Sequence, residues 1–155
     1  MAWRAIPASP SFSWAAFEKI GGELIAPETA HTFWTGLRDH ADEYFDVARA
    51  AVEQGATLWR LSLPQVAPPL ALEGDSLIEW GGAQRWLISH QPAAQVRDAA
   101  AAAGGHATLF RGRERSAGVF APLKSPLDRI HRELKRAFDP DGVFNPGRMY
   151  PGLCP

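Results

Sequence analysis

Several features are scarce or missing from this chain, and each absence narrows what it can be. It has one cysteine, Cys154, so neither an intrachain disulfide nor a cysteine metal cluster can form, which fits a reducing compartment. No stretch approaches the roughly 18 apolar residues of a membrane span, and no basic segment leads into an apolar run. The expectation is a cytoplasmic chain, at most peripheral to a membrane. Excess charge is also missing: 16 basic against 17 acidic side chains leave a net charge of −1, so no general attraction to nucleic acid or to an anionic membrane is expected. No Gly-x-Gly-x-x-Gly, P-loop, Gly-x-Ser-x-Gly or His-Glu-x-x-His pattern occurs. Nothing in the chain can cradle an ADP moiety by itself.

What is present is an ordinary single-domain length of 155 residues and a generous aromatic supply, six Trp and eight Phe, which could serve a core, an interface or a flat ligand. Residues 1–11, with Pro7 and Pro10, read as a lead-in, and 151–155 as a tail. Phe12 to Ile20 could form a short helix ended by Gly21-Gly22. Pro27 opens a helix with Ala30, Phe33, Trp34 and Leu37 at helical spacing, and Asp42 to Gln54 continues with Phe45, Ala48 and Val52. The period then drops to two in Leu58-Trp59-Arg60-Leu61-Ser62-Leu63, a strand ended by Pro64. After a Pro-rich linker, Leu77–Trp80 and Arg85–Ile88 flank Gly81-Gly82 as a hairpin. Pro92 to Ala103 is an alanine-rich helix stopped by Gly104-Gly105, and His106–Phe110 is a last strand. A final helix, capped by Ser125 with Pro126 first, carries a stripe of Leu127, Ile130, Leu134 and Phe138 expected to be buried.

This order predicts an α+β fold, an antiparallel sheet with helices on one face. That face would hold Trp59, Leu61, Ile78, Trp80, Trp86, Ala107 and Leu109, leaving Arg60, Ser62, Glu79, Arg85, His106 and Thr108 on the other. Arg60 and Arg85 could hold a small carboxylate with their forked, permanently charged donors, and His106 beside them could take a proton at neutral pH. The same alternation equally describes a solvated sheet face on which Arg pairs with Glu79 across strands. Arg111, Arg113 and Arg115 read as a solvated loop, and His31, His40 and His131 as surface or core-edge residues.

The segment Phe138-Asp139-Pro140-Asp141-Gly142-Val143-Phe144-Asn145-Pro146-Gly147-Arg148-Met149-Tyr150 contains two turns, Asp139–Gly142 and Asn145–Gly147. Between them Val143 and Phe144 would anchor in a core and hold the Asn145 amide, donor and acceptor together, in one direction. Pro and Gly would also tie down a terminal segment with no ligand involved.

This closing segment resembles the C-terminus of the FAD-linked oxidases related to vanillyl-alcohol oxidase, and most closely the E-type subunits of bacterial glycolate oxidases. From about Gly21 to Tyr150 further words are similar: Leu58–Pro64, Glu79-Trp80-Gly81-Gly82-Ala83-Gln84-Arg85-Trp86-Leu87, and Ala102-Ala103-Gly104-Gly105-His106-Ala107-Thr108-Leu109-Phe110-Arg111. The resemblance implies that residues 12–150 are a ferredoxin-like C-terminal cap domain over a flavin, with the N-terminal FAD-binding domain and the first half of the cap absent. FAD would be bound mainly by that absent domain. The partners implied are flavin-bearing and iron–sulfur subunits that oxidise glycolate, a 2-hydroxy acid, to glyoxylate, peripheral at the inner membrane. Asn145 matches the family's Asn-Pro-Gly near the flavin ring. His106 matches the histidine that related 2-hydroxy acid dehydrogenases carry after Gly-Glu, with Gly105 standing where they have Glu. The chain then reads as a cap fragment or split subunit, or alternatively as a subunit-interaction module or inactive fragment.

Overall fold

The computed structural model describes residues 19–150 and 152–153. The lead-in at 1–11, most of the helix expected from Phe12 and much of the tail lie outside the described residues. Contacts divide the chain into two units at Asp42. The first holds helix α1, Pro27–Asp39, with Pro at its first turn and His40 in the left-handed conformation closing its C-terminus through bonds to the Gly36 and Leu37 carbonyls. Phe33 and Trp34 meet edge to face at 5.1 Å.

The second unit is α+β. Helix α2 (Glu43–Glu53) leads into β1 (Thr57–Ser62), and an irregular connection reaches β2 (Asp75–Glu79). A 3₁₀ turn at Trp80–Gly82 joins β2 to β3 (Gln84–Ser89), followed by α3 (Ala93–Ala102), β4 (His106–Arg111) and α4 (Leu127–Phe138). The strands form one sheet in the order β2-β3-β1-β4, with every neighbouring pair antiparallel. Among the described residues no helix is long and apolar enough to cross a membrane.

The alanine-rich sequence of α3 lets it lie close on the sheet. Val96 and Ala100, both fully buried, pack with Trp59, Leu61, Leu63, Leu87, Ala107 and Leu109, and Ala67, Leu70 and Leu72 from the β1–β2 connection close the cluster. The opposite face is covered too, which corrects the expectation of helices on one side. Phe45 of α2 meets Trp86 edge to face at 5.2 Å, and Trp86 meets Phe110 at 4.8 Å.

Trp86 and Arg85 stand opposite to their expected faces. The hairpin turn spans four residues, so Ile78 pairs with Arg85 and Leu77 with Trp86. Cross-strand partners share a face, and Ile78 and Trp86 are thereby separated. Trp80, expected in the core, sits in the turn at φ 51° and is 74% exposed.

A second correction concerns α4. Its stripe exists, yet Leu127, Ile130, Leu134 and Phe138 are 45–81% exposed and the helix buries none of its residues. Val143 and Phe144, expected to anchor in a core, are exposed as well. Ser125 makes no capping bond; Pro126 occupies the cap position.

Candidate functional site

Helix α2 covers only one end of its sheet face, and the other end is polar. Two transverse rows run across all four strands there. Glu79 pairs with Gln84, Gln84 with Ser62 and Ser62 with His106; one step inward, Leu77 pairs with Trp86, Trp86 with Arg60 and Arg60 with Thr108. Strand alternation puts all eight on one face. Of the six residues expected to share a polar face, five do.

Arg60 and His106 are brought together. They occupy a diagonal on neighbouring strands, a separation of about 7–8 Å between backbones. Both are exposed, and Arg60 has no carboxylate partner among the described residues. Glu79, the expected partner, is otherwise engaged: its Oε2 accepts the Trp86 indole N–H at 2.6 Å and the Gln84 amide at 2.9 Å. This leaves the Gln84 carbonyl oxygen as an acceptor on the strip. Gln84 was not among the candidates, but counting across the hairpin from Glu79 would have found it.

Arg85 is turned away. It is 7% exposed, on the α3 side, and donates to the carbonyls of Pro68 at 2.8 Å, Gly82 at 3.2 Å and Ala67. Its charge staples the β1–β2 connection to the hairpin turn. The arginines after β4 are also spent locally: Arg113 pairs with Glu53, Arg115 donates to the Gly112 carbonyl and Arg111 lies over the Phe110 ring.

His106 opens β4 directly after Gly105, and the reason for that glycine is visible. A Cβ at position 105 would stand 2.1 Å from the Ser62 carbonyl oxygen and 2.7 Å from Leu63 Cδ2. The close approach is to β1 itself. A glutamate there, as in the Gly-Glu pattern of related dehydrogenases, has no room, so His106 has no carboxylate neighbour from the preceding position.

Asn145 belongs to a hook that follows α4. Asp139, 5% exposed, accepts the Val143 and Phe144 N–H groups at 2.9 Å each. Lys135 donates to the same carboxylate and to the Phe144 carbonyl at 2.6 Å. The Lys135 ammonium, aided by the Phe144 and Val143 N–H groups, holds the Asp139 carboxyl below its usual range in spite of desolvation. Both expected turns close, Gly142 N–H to the Asp139 carbonyl at 3.2 Å and Arg148 N–H to the Asn145 carbonyl at 3.2 Å. Asn145 itself is exposed at φ 48°, a conformation that asparagine tolerates. Its backbone is held on both sides, by the Asp139 bond to the Phe144 N–H before it and by the turn to Arg148 after it.

A hollow of about 200 Å³ between the start of α4 and the final residues is lined by Asp128, Arg132 and Tyr150, but Arg132 is paired with Asp128 and offers no free charge.

Neither a family model nor a solved structure matches the chain. The glycolate oxidase subunit GlcE of Escherichia coli (strain K12) is 48% identical to it over 139 residues, which cover 90% of this chain and 36% of that protein. The chain thus spans little more than a third of its relative's length. Over nine-tenths of its residues, it is homologous to one part of the glycolate oxidase subunit GlcE.

Proposed function

We propose that this chain is the C-terminal cap part of the FAD-binding subunit of a glycolate oxidase, contributing to oxidation of a 2-hydroxy acid to the 2-oxo acid within a complex of flavin-bearing and iron–sulfur subunits. The observation that carries this reading is the 48% identity over 90% of the chain. The strand order supports the ferredoxin-like part of it. Read as β4-β1-β3-β2, with all neighbours antiparallel, it is the order of a split β-α-β sheet whose first crossover is an irregular segment in place of a helix.

The residues present fit one edge of a flavin and no more. Asn145 offers an exposed, backbone-fixed amide that could pair with the polar rim of the ring. Neither the strip nor the hook offers a glycine-rich phosphate cradle, so FAD would be held mainly by groups outside these residues. The flavin, when bound, would supply the hydride acceptor. Arg60 would orient the substrate carboxylate as an unpaired guanidinium, and the imidazole of His106, on the diagonal, would take the proton of the 2-hydroxyl. Arg85, with its guanidinium consumed by three carbonyls, serves the fold and leaves the substrate to Arg60. The assembly would sit in the cytoplasm, peripheral to the inner membrane.

The test is His106→Ala in the reconstituted complex. Turnover should fall by roughly 10²-fold or more while subunit assembly is unchanged. An unaltered rate removes His106 from the mechanism.

A second reading, a module that serves mainly to assemble subunits, is favoured by one observation: the uncovered stripe of α4. The two readings are compatible if the stripe and the hook meet the same body.

A further inference from the structure

Helix α4 is cleanly two-faced. Leu127, Ile130, Leu134 and Phe138 fall on one side at helical spacing, and Arg129, Arg132, Glu133 and Arg136 on the other. In a chain that supplied all of its own packing, a stripe of this kind would lie on a sheet. Here every stripe residue is at least 45% exposed, and the row continues past the helix end through Val143 and Phe144, 69% and 67% exposed. The patch is held rigid. The Lys135–Asp139 ion pair and the bonds of Asp139 to Val143 and Phe144 lock the hook onto the last turn of the helix. An apolar surface this contiguous is characteristic of an interaction site.

Two facts indicate what covers it. The match to GlcE takes in 139 of the 155 residues, so at most 16 lie outside it, and α4 ends 17 residues before the last residue. The helix is therefore within the matched part of a protein nearly two-thirds of which has no counterpart here. Second, Asn145 directly follows Phe144 in the locked hook. A body that brings a flavin edge to Asn145 must come up against Phe144, Val143 and the Phe138 end of the stripe.

We propose that the stripe of α4, continued by Val143 and Phe144, is the docking surface for the flavin-bearing domain, and that the Lys135–Asp139 lock makes docking and presentation of Asn145 one event. The proposal rests on the cap reading above.

The probe is the part of E. coli GlcE that this chain does not match, purified with FAD and mixed with the chain in sedimentation velocity. Wild-type chain should co-sediment with the visible flavin absorbance. The double substitution Ile130→Asp, Leu134→Asp should weaken that association at least tenfold, and Val66→Asp, at a still more exposed apolar site off the helix, should leave it unchanged. Because α4 buries nothing, the thermal unfolding of the double variant should match wild type. If it does not, Phe138→Asp, at an 81% exposed position, serves in its place. Association unaffected by the stripe substitutions overturns the docking surface and leaves the cap reading standing. Failure of the wild-type chain to bind overturns both. A concentration-dependent dimer of the chain alone, abolished by the same substitutions, would assign the stripe to a second copy and overturn the proposal.

Discussion

Replacing Gly105 by alanine should cost stability, although alanine is ordinarily the better residue. The new Cβ would stand 2.1 Å from the Ser62 carbonyl oxygen, 2.7 Å from Leu63 Cδ2 and 3.0 Å from Leu63 Cα. Two of these three atoms are backbone of β1 and its continuation, so a rotamer change cannot relieve the contact; β4 must move away at the Ser62–His106 pair. Overpacking of this kind costs about 1–3 kcal/mol, and a backbone obstacle belongs at the upper end. The lower entropy of an unfolded chain with alanine returns about 0.4–1 kcal/mol. A net loss of about 2 kcal/mol follows, a fall in Tm of roughly 4–8 °C for a chain of this size. Urea unfolding followed by tryptophan fluorescence would read it directly, since Trp59 and Trp86 are both buried in the sheet. Amide shifts in a ¹H–¹⁵N spectrum should concentrate at Ser62, Leu63 and His106. An unchanged or raised midpoint would refute the reasoning, because it would mean that β4 slides on β1 without cost. Gly105→Glu, which restores the Gly-Glu pattern of related dehydrogenases, should be no better tolerated.

Gly36→Ala supplies the opposite sign. The residue lies in α1 with nothing closer than 3.9 Å to a new Cβ, so helix propensity should prevail and helix stability rise by about 1 kcal/mol, seen as slower amide exchange along Pro27–Asp39. Arg85→Met should destabilise by about 2–4 kcal/mol, since it strips the donors from three carbonyls. Arg60→Ala should change urea midpoints by less than about 0.5 kcal/mol yet remove the glycolate-induced shifts of neighbouring strip amides; equal destabilisation by both would contradict the assignment of faces. For Asp139 the sign follows from its lowered pKa. Its contribution is present above the unfolded carboxyl value of about 3.9 and lost as pH falls through the folded value, so the hook should loosen only below that range, and Asp139→Asn should flatten the acid limb of amide exchange at Val143 and Phe144. Purified chain mixed with FAD and desalted should be colourless; retained flavin absorbance would point to a cofactor site of its own.

Local chemistry was readable wherever one residue decided the conformation. The Pro27 helix start, the Gly104 helix stop and the two turns of the hook, with glycine at φ 63° and 69°, follow from steric rules that act within four residues. The alternation of β1, with Trp59 and Leu61 inward and Arg60 and Ser62 outward, was equally plain, because a six-residue strand with one polar face has only one phase. The resemblance to the E-type glycolate oxidase subunits was carried by whole words of sequence, and the 48% identity to GlcE bears it out.

What only the tertiary structure decided is where each face ends up. Any even-numbered turn centred on Gly81-Gly82 pairs Ile78 with Arg85 and Leu77 with Trp86, whereas hydrophobicity alone grouped Ile78 with Trp86, and so Arg85 went from the open strip to the buried side and Trp86 came across to meet Phe45. Pattern alone could not reveal that both faces of the sheet are partly covered, nor that the stripe of α4 is left bare, because an amphipathic sequence states that a face seeks a partner without saying whether its own chain supplies one. Gly105 shows the same limit at a single atom. In sequence it is a helix stop; in three dimensions the Ser62 carbonyl, 43 positions earlier, takes the space of its side chain.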